Sequence, residues 1–304
     1  MKRLLVALLC GGVAVQAGAR RLEAVTFPSL ERDASGATLV LRGVLLLPPR
    51  ATPVGGFPAI IALHGCGGMY STVKSRHDQL SLRHRAMAEL LVGEGYIALF
   101  PDSFRSRGRE EICTIENKKR AITQINRRLD TLAALAFLQA RADVAPDRVA
   151  VLGWSHGGSA VLAALNARSP QVAASLARAP ASAYFRAGVA FYPGCIESLR
   201  MKDGYATAAP LHLFIAGSDD WTDPRPCIDL AARLATAGEP VTNTVYPSTY
   251  HGFDGPPTQP RLRLEVPNGV HPGQGVTVAP NPEARDDAYA RLKAYLRARL
   301  ATAP

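Results

Sequence analysis

Residues 147–165, DRVAVLGWSHGGSAVLAAL, restrict this chain to few folds. Val149, Ala150, Val151 and Leu152 make a short apolar run of the kind that forms a strand buried on both faces. Gly153-Trp154-Ser155-His156-Gly157 follows directly, and an Ala- and Leu-rich helical run comes next. A serine between strand and helix, flanked by glycines, sits on a strained turn, because only small neighbours tolerate the close backbone approach that the turn demands. Such a turn lifts the hydroxyl to the carboxyl end of the sheet. It also aims the N–H of His156, at the helix start, at any negative charge developing there. Ser155 is therefore read as a nucleophile, and His156 as a backbone donor to an oxyanion.

The rest of the chain supplies the sheet that such a turn needs. Apolar runs at 58–63, 96–100, 188–192, 211–216 and 241–246 predict strands, and 25–27 with 37–47 predict an opening hairpin. Helical periodicity marks 82–93, 121–140, 227–237 and 283–300; in the second, Ile122, Ile125, Leu129, Leu132, Leu135 and Leu138 share a side. Strands alternating with helices predict an α/β class with a mostly parallel sheet and helices on both faces. Residues 20–304 are expected to form one domain. Residues 103–118 are polar and irregular. Residues 255–282 are rich in Pro and Gly and hold no period, which suits either a surface excursion or an arm.

At 304 residues and 47% apolar the chain can bury one large core. Residues 1–19 read as a secretory signal peptide. Lys2 and Arg3 precede an apolar run at 4–15 that is too short to span a bilayer, and Ala17-Gly18-Ala19 is a small-x-small cleavage site. Leu9 before Cys10 is too large for lipid attachment. The expected location is the periplasm or the medium, with no stable membrane insertion.

Removing the leader takes the net charge from +10 to about +8. The arginines are spread over many segments without a nucleic-acid-binding motif, so they read as solvated helix faces and nucleic acid is not expected as a partner. Arg105, Arg107, Arg109, Lys118 and Lys119 do gather in one loop, either as a solvated face or as an attractor for acidic substrates. Four cysteines remain after the leader. An even count in an exported chain predicts disulfides, and the favoured pairs are Cys66–Cys113 and Cys195–Cys227, each in loops expected at the carboxyl ends of strands. No spacing suits a metal, and no cofactor is implied.

A nucleophilic serine needs a base, and the base needs an orienting acid. With the chain order serine, acid, histidine, only His251 and His271 follow both the serine and a strand-end acid. His251 stands shortly after the strand at 241–246 and is the better base; His271 lies in the Pro/Gly stretch. Asp219 and Asp220 follow the strand at 211–216 and compete for the role of acid. His64 reads as a residue that holds a loop. The glycine-rich His64-Gly65-Cys66-Gly67-Gly68 follows the strand at 58–63, so the N–H of Cys66 is the second expected oxyanion donor.

With HGCGG at 64–68, FPDSF at 100–104, GWSHGG at 153–158, FYPGC at 191–195, DDWT at 219–222 and YHGFD at 250–254, the chain resembles the dienelactone hydrolase family. The resemblance implies an α/β-hydrolase fold with a triad of Ser155, His251 and Asp219 or Asp220. The spacing G-x-x-D from Gly217 picks Asp220, whereas gapless matching of DDWT picks Asp219, which the longer match favours. The name-giving enzymes carry cysteine in the elbow, so serine here points to ordinary carboxylic esters. The expected activity is an exported serine esterase acting on a small-molecule or polymeric ester, with an aminopeptidase or an inactive binding protein as alternatives.

Overall fold

The computed structural model describes residues 21–33, 35–178 and 184–301; the signal peptide predicted at 1–19 lies outside the described residues. At the centre, β3 (Phe57–Leu63) lies parallel to β5 (Val144–Trp154), with Leu63 opposite Gly153. On the other side of β3 runs β4 (Ile97–Asp102), also parallel, followed outward by the antiparallel β2 (Thr38–Leu47) and β1 (Arg21–Arg32). Beyond β5 come β6 (Ala187–Phe191), β7 (Leu211–Ala216) and β8 (Val241–Tyr246), all parallel. The order is β1-β2-β4-β3-β5-β6-β7-β8. From β3 the chain builds toward one edge, then returns to β5 and builds toward the other. The loops after β3 and β5 therefore diverge from neighbouring strand ends, and a crevice opens at such a switch point in an α/β sheet.

Apolar runs became strands because both faces are covered. α1 (Leu82–Gly93) and α7 (Pro282–Leu300) bring Met87, Leu91, Leu292 and Leu296 against Ile60, Ala62 and Leu152. On the opposite face α2 (Gln124–Gln139), α3 (His156–Leu165) and α6 (Arg225–Thr236) set Leu132, Leu135, Val161 and Leu230 against Ala59, Ile61, Val149 and Val151. Successive strand residues point to opposite sides, so each run feeds two cores, and each fully buried Leu or Ile contributes about 1.5–3 kcal/mol.

The structure differs from the sequence reading at its edges. β1 extends well beyond the predicted 25–27 because it is an edge strand; Phe27 and Ser29 are its buried side chains, so little apolar signal marks it. α2 starts at Gln124 rather than 121, since Thr123 caps it, its hydroxyl accepting the Ile125 N–H at 3.2 Å. α4 (Pro170–Arg178) and the single turn α5 (Ile196–Leu199) fall where no element was predicted. Residues 255–282 form a surface excursion with its own sheet, β9 (Arg261–Arg263) against β10 (Val276–Val278). Three-residue strands are too short to leave a readable period. Val266 and Val276 from this excursion are buried in a small cluster with Cys66, Phe104, Ile112 and Cys113. Both predicted disulfides are present, Cys66–Cys113 and Cys195–Cys227. Among the described residues no helix is long and apolar enough to cross a membrane.

Candidate active site

Ser155 stands between β5 and α3 with φ 53° and ψ −119°, a backbone conformation that a side chain rarely adopts. Its N–H is held by the Phe191 carbonyl at 2.9 Å. The flanking glycines are explained by distance. A Cβ on Gly153 would lie 2.4 Å from the Gly157 carbonyl oxygen, and one on Gly157 would lie 2.1 Å from that of Leu63. Any side chain at either position would push the turn off its strand.

His251 lies in the loop after β8 and is buried, with Nδ1 2.7 Å from Oδ2 of Asp219. Asp219 is in the turn after β7, where its other oxygen accepts the N–H groups of Trp221 at 2.9 Å and Thr222 at 2.8 Å. One oxygen thus fixes the carboxylate to its own turn while the other receives the imidazole N–H. This assigns the Nδ1–H tautomer and leaves Nε2 as a proton acceptor. The rings of Tyr192 and Trp221 flank the imidazole at 4.5 and 4.7 Å between centroids. Asp220 points elsewhere: its carboxylate accepts the Thr277 N–H at 2.7 Å and hydroxyl at 2.6 Å, tying the excursion to this turn. His271 is exposed in the excursion.

The loop after β3 runs along the serine turn, since a Cβ on Gly65 would be 3.5 Å from the Trp154 carbonyl oxygen and 3.7 Å from the Ser155 Cβ. Cys66 is anchored by its disulfide and by its carbonyl, which accepts the Ile112 N–H at 2.8 Å. His64, fully buried, donates from Nδ1 to the Gly65 carbonyl at 2.8 Å and accepts the Ser103 N–H at 3.3 Å. Burial, then the nearby Arg127 charge, hold its pKa well below the usual histidine range, so it stays neutral and braces the loop.

The His156 side chain turns inward, where Nδ1 accepts a hydrogen bond from Arg127 at 3.0 Å. Arg127 is wholly buried, and burial lowers its pKa to about 10, so it remains a cation at neutral pH. The nearby Asp130 is committed to Arg107 through two 2.9 Å contacts. Sequence reasoning missed Arg127, which stands outside the apolar positions predicted for this helix and takes its meaning from a partner 29 residues away.

The basic cluster predicted in the 103–119 loop is dispersed. Arg105 lies 3.8 Å over the Tyr70 ring and pairs with Asp78, Arg107 pairs with Asp130 and Glu31, and Lys118 and Lys119 pair with Glu116. Ser155 instead lies at the junction of two clefts, of about 650 and 420 Å³. His251 and Ser155 share the wall of the smaller one, which is also lined by Arg76, Arg83, Arg85, Arg261 and Arg263 and by no carboxylate. Among the described residues, no three His, Cys, Asp or Glu side chains gather as metal ligands would.

The sequence model of the dienelactone hydrolase family matches residues 41–300. A Bradyrhizobium protein named "Probable 2-oxo-3-(5-oxofuran-2-ylidene)propanoate lactonase" is 23% identical over 216 residues, 67% of this chain and 76% of that protein. A dienelactone hydrolase-like promiscuous phosphotriesterase from metagenomic libraries superposes with a TM-score of 0.62 at 16% identity, covering 93% of this chain and 100% of that one. Thermogutta terrifontis esterase 2, phosphoramylated by tabun, superposes with a TM-score of 0.58 at 14% identity, covering 93% and 97%. At these identities the superpositions show the shared fold.

Proposed function

The chain belongs to the dienelactone hydrolase family and is a hydrolase acting on esters, and we propose that it cleaves carboxylic esters through an acyl-enzyme on Ser155. The observation that carries this reading is the 2.7 Å bond from His251 to Asp219 beside a strained serine in the same cleft. Ser155 Oγ attacks the ester carbonyl as His251 Nε2 takes its proton. Asp219 steadies the resulting imidazolium. The N–H groups of Cys66 and His156 receive the oxyanion, and a donor of that kind is worth about 10²–10³ in rate. Collapse of the intermediate expels the alcohol, which takes the proton from His251. Water then repeats the sequence and releases the acid and Ser155.

The substrate arm in the smaller cleft meets a positive wall. Arg83 pairs with Asp254 and Arg263 with Glu265, while Arg76, Arg85 and Arg261 form no ion pair among the described residues. An ester with an acidic arm is thus favoured over its neutral analogue at low salt, and the preference fades as salt screens exposed charge. The two disulfides and the leader-like residues 1–19 support action in the periplasm or outside the cell.

The test is a panel of p-nitrophenyl esters, neutral and carboxylate-bearing, with aminoacyl anilides beside them. Ester turnover with a stoichiometric burst is expected, and Ser155→Ala should lower it by about 10⁴-fold with an unchanged circular dichroism spectrum. Anilide cleavage without ester cleavage would favour a peptidase, and no turnover of either would favour a binding protein. Ser155→Ala within about tenfold of wild type would overturn the nucleophile assignment.

A further inference from the structure

Asp254 carries the most connected buried carboxylate near the site, and the triad does not use it. Its side chain is fully shielded from solvent. Oδ2 accepts the indole N–H of Trp154 at 2.6 Å, and Oδ1 accepts the hydroxyl of Tyr192 at 2.6 Å. Arg83 of α1 supplies the counter-charge, with Nε 3.1 Å from Oδ1. The Tyr289 hydroxyl of α7 reaches both Oδ2 and the Asp254 carbonyl at 3.4 Å.

Each partner comes from a different element, and two of them touch the reacting groups directly. Trp154 is the residue before Ser155. Tyr192 lays its ring 4.5 Å from the His251 ring, from a backbone strained at φ 38°. Asp254 itself stands three residues after His251. Arg83 also binds the loop backbone, its Nη2 donating to the Gly252 carbonyl at 3.1 Å. The loop fits closely around that guanidinium, because a Cβ on Gly252 or on Gly255 would lie 3.0 Å from Nη2.

We propose that Asp254 is a positioning residue that locks the histidine loop to the serine turn. It fixes the separation of His251 Nε2 and Ser155 Oγ. The nucleophile rides on β5 and the base on the loop after β8. Those two supports are not neighbours, since β6 and β7 lie between them in the sheet. A carboxylate bonded to the residue before the nucleophile and covalently close to the base spans that gap. Burial makes the link stiff, since water has no access to substitute for a lost partner. A misplacement of about 1 Å between reacting atoms can cost about 10²-fold in rate. The inference rests on the Ser155–His251–Asp219 reading.

Asp254→Asn keeps the shape but turns an amide N–H₂ toward donors. Measured per active site by burst titration, its kcat should fall about 10²-fold while KM changes less than about threefold. Trp154→Phe and Tyr192→Phe each remove one donor and should each lower kcat about tenfold. Trp154→Phe should add little in the Asp254→Asn background, because both break the same link. A purely structural residue would lower Tm and leave kcat per active site at the wild-type value; that result for Asp254→Asn sinks the proposal. If Asp254→Asn does not fold, unchanged kcat in both single-donor variants sinks it equally. Ser155→Ala assayed alongside separates the two claims, since retained activity there removes the nucleophile whatever Asp254→Asn does.

Discussion

Asp219 and Asp220 are neighbours in sequence and diverge completely in use. Asp219 accepts two N–H groups of its own turn on Oδ1 and offers Oδ2 to His251, while Asp220 holds Thr277 of the excursion. Asp219→Asn should lower kcat by about 10²–10⁴, since the amide no longer fixes the tautomer or steadies the imidazolium. Asp220→Asn should keep kcat within about threefold and cost about 1–3 kcal/mol of stability through the lost Thr277 bonds. Steady-state kinetics with urea unfolding on both variants reads this directly, and the reverse pattern would move the acid to Asp220. A serine flanked by glycines, and an acid and a histidine after later strands, are written locally and could be read. Which of two adjacent acids meets His251 depends on how one turn closes, so spacing alone pointed both ways. Arg127 and Asp254 were not legible as site residues, because their meaning lies in partners 29 and 100 residues away.

At the level of elements, continuous apolar runs announced β3, β5, β6 and β7 because those strands are covered on both faces. β1, the short strands of the excursion and the single turn α5 bury too little to leave such a signal. The excursion nonetheless matters to the site. Val278 of β10 bridges His251, and the His251 carbonyl accepts the Ala279 N–H at 3.3 Å, so His251 is braced from outside. The two disulfides have different tasks. Cys66–Cys113 clamps the loop expected to supply an oxyanion donor, whereas Cys195–Cys227 joins the loop after β6 to the first turn of α6. Replacing either pair by serines should cost about 2–4 kcal/mol. The Cys66→Ser/Cys113→Ser variant should also lose kcat by tenfold or more, on the scale of a misplaced donor. Thermal melts and ester kinetics on both double variants make the comparison; equal kcat in the two would contradict a part for the first bridge in placing the donor.

The alternation of strands and helices made the α/β layering readable, but strand order was not, because parallel pairing joins segments that carry no mark of their neighbours. That order creates the crevice, by placing the ends of β3 and β5 side by side. The folded molecule also draws histidines out of water, His64 and His84 fully and His156 and His212 in part. Burial, the first cause in each case, lowers His84 and His212 to about 4 and takes His64 and His156 well below their usual range. They are neutral when folded and protonate near pH 6.5 when unfolded, so the unfolded chain binds more protons below that pH. Their contribution is complete above about pH 6.5 and is lost as pH falls toward 4, with His84 alone accounting for up to about 3 kcal/mol. Asp102, raised by burial, acts in the opposite sense but is one group against four. Tm should therefore fall steadily from pH 7 to pH 5, and a flat profile would contradict neutral burial of these rings. The proposed covalent intermediate on Ser155 is tested most directly by intact-protein mass after reaction with a fluorophosphonate. One adduct per chain is expected, in the tryptic segment 149–168, with activity lost in proportion and no adduct on Ser155→Ala. An unlabelled protein that hydrolyses esters, or equal labelling of Ser155→Ala, would contradict it.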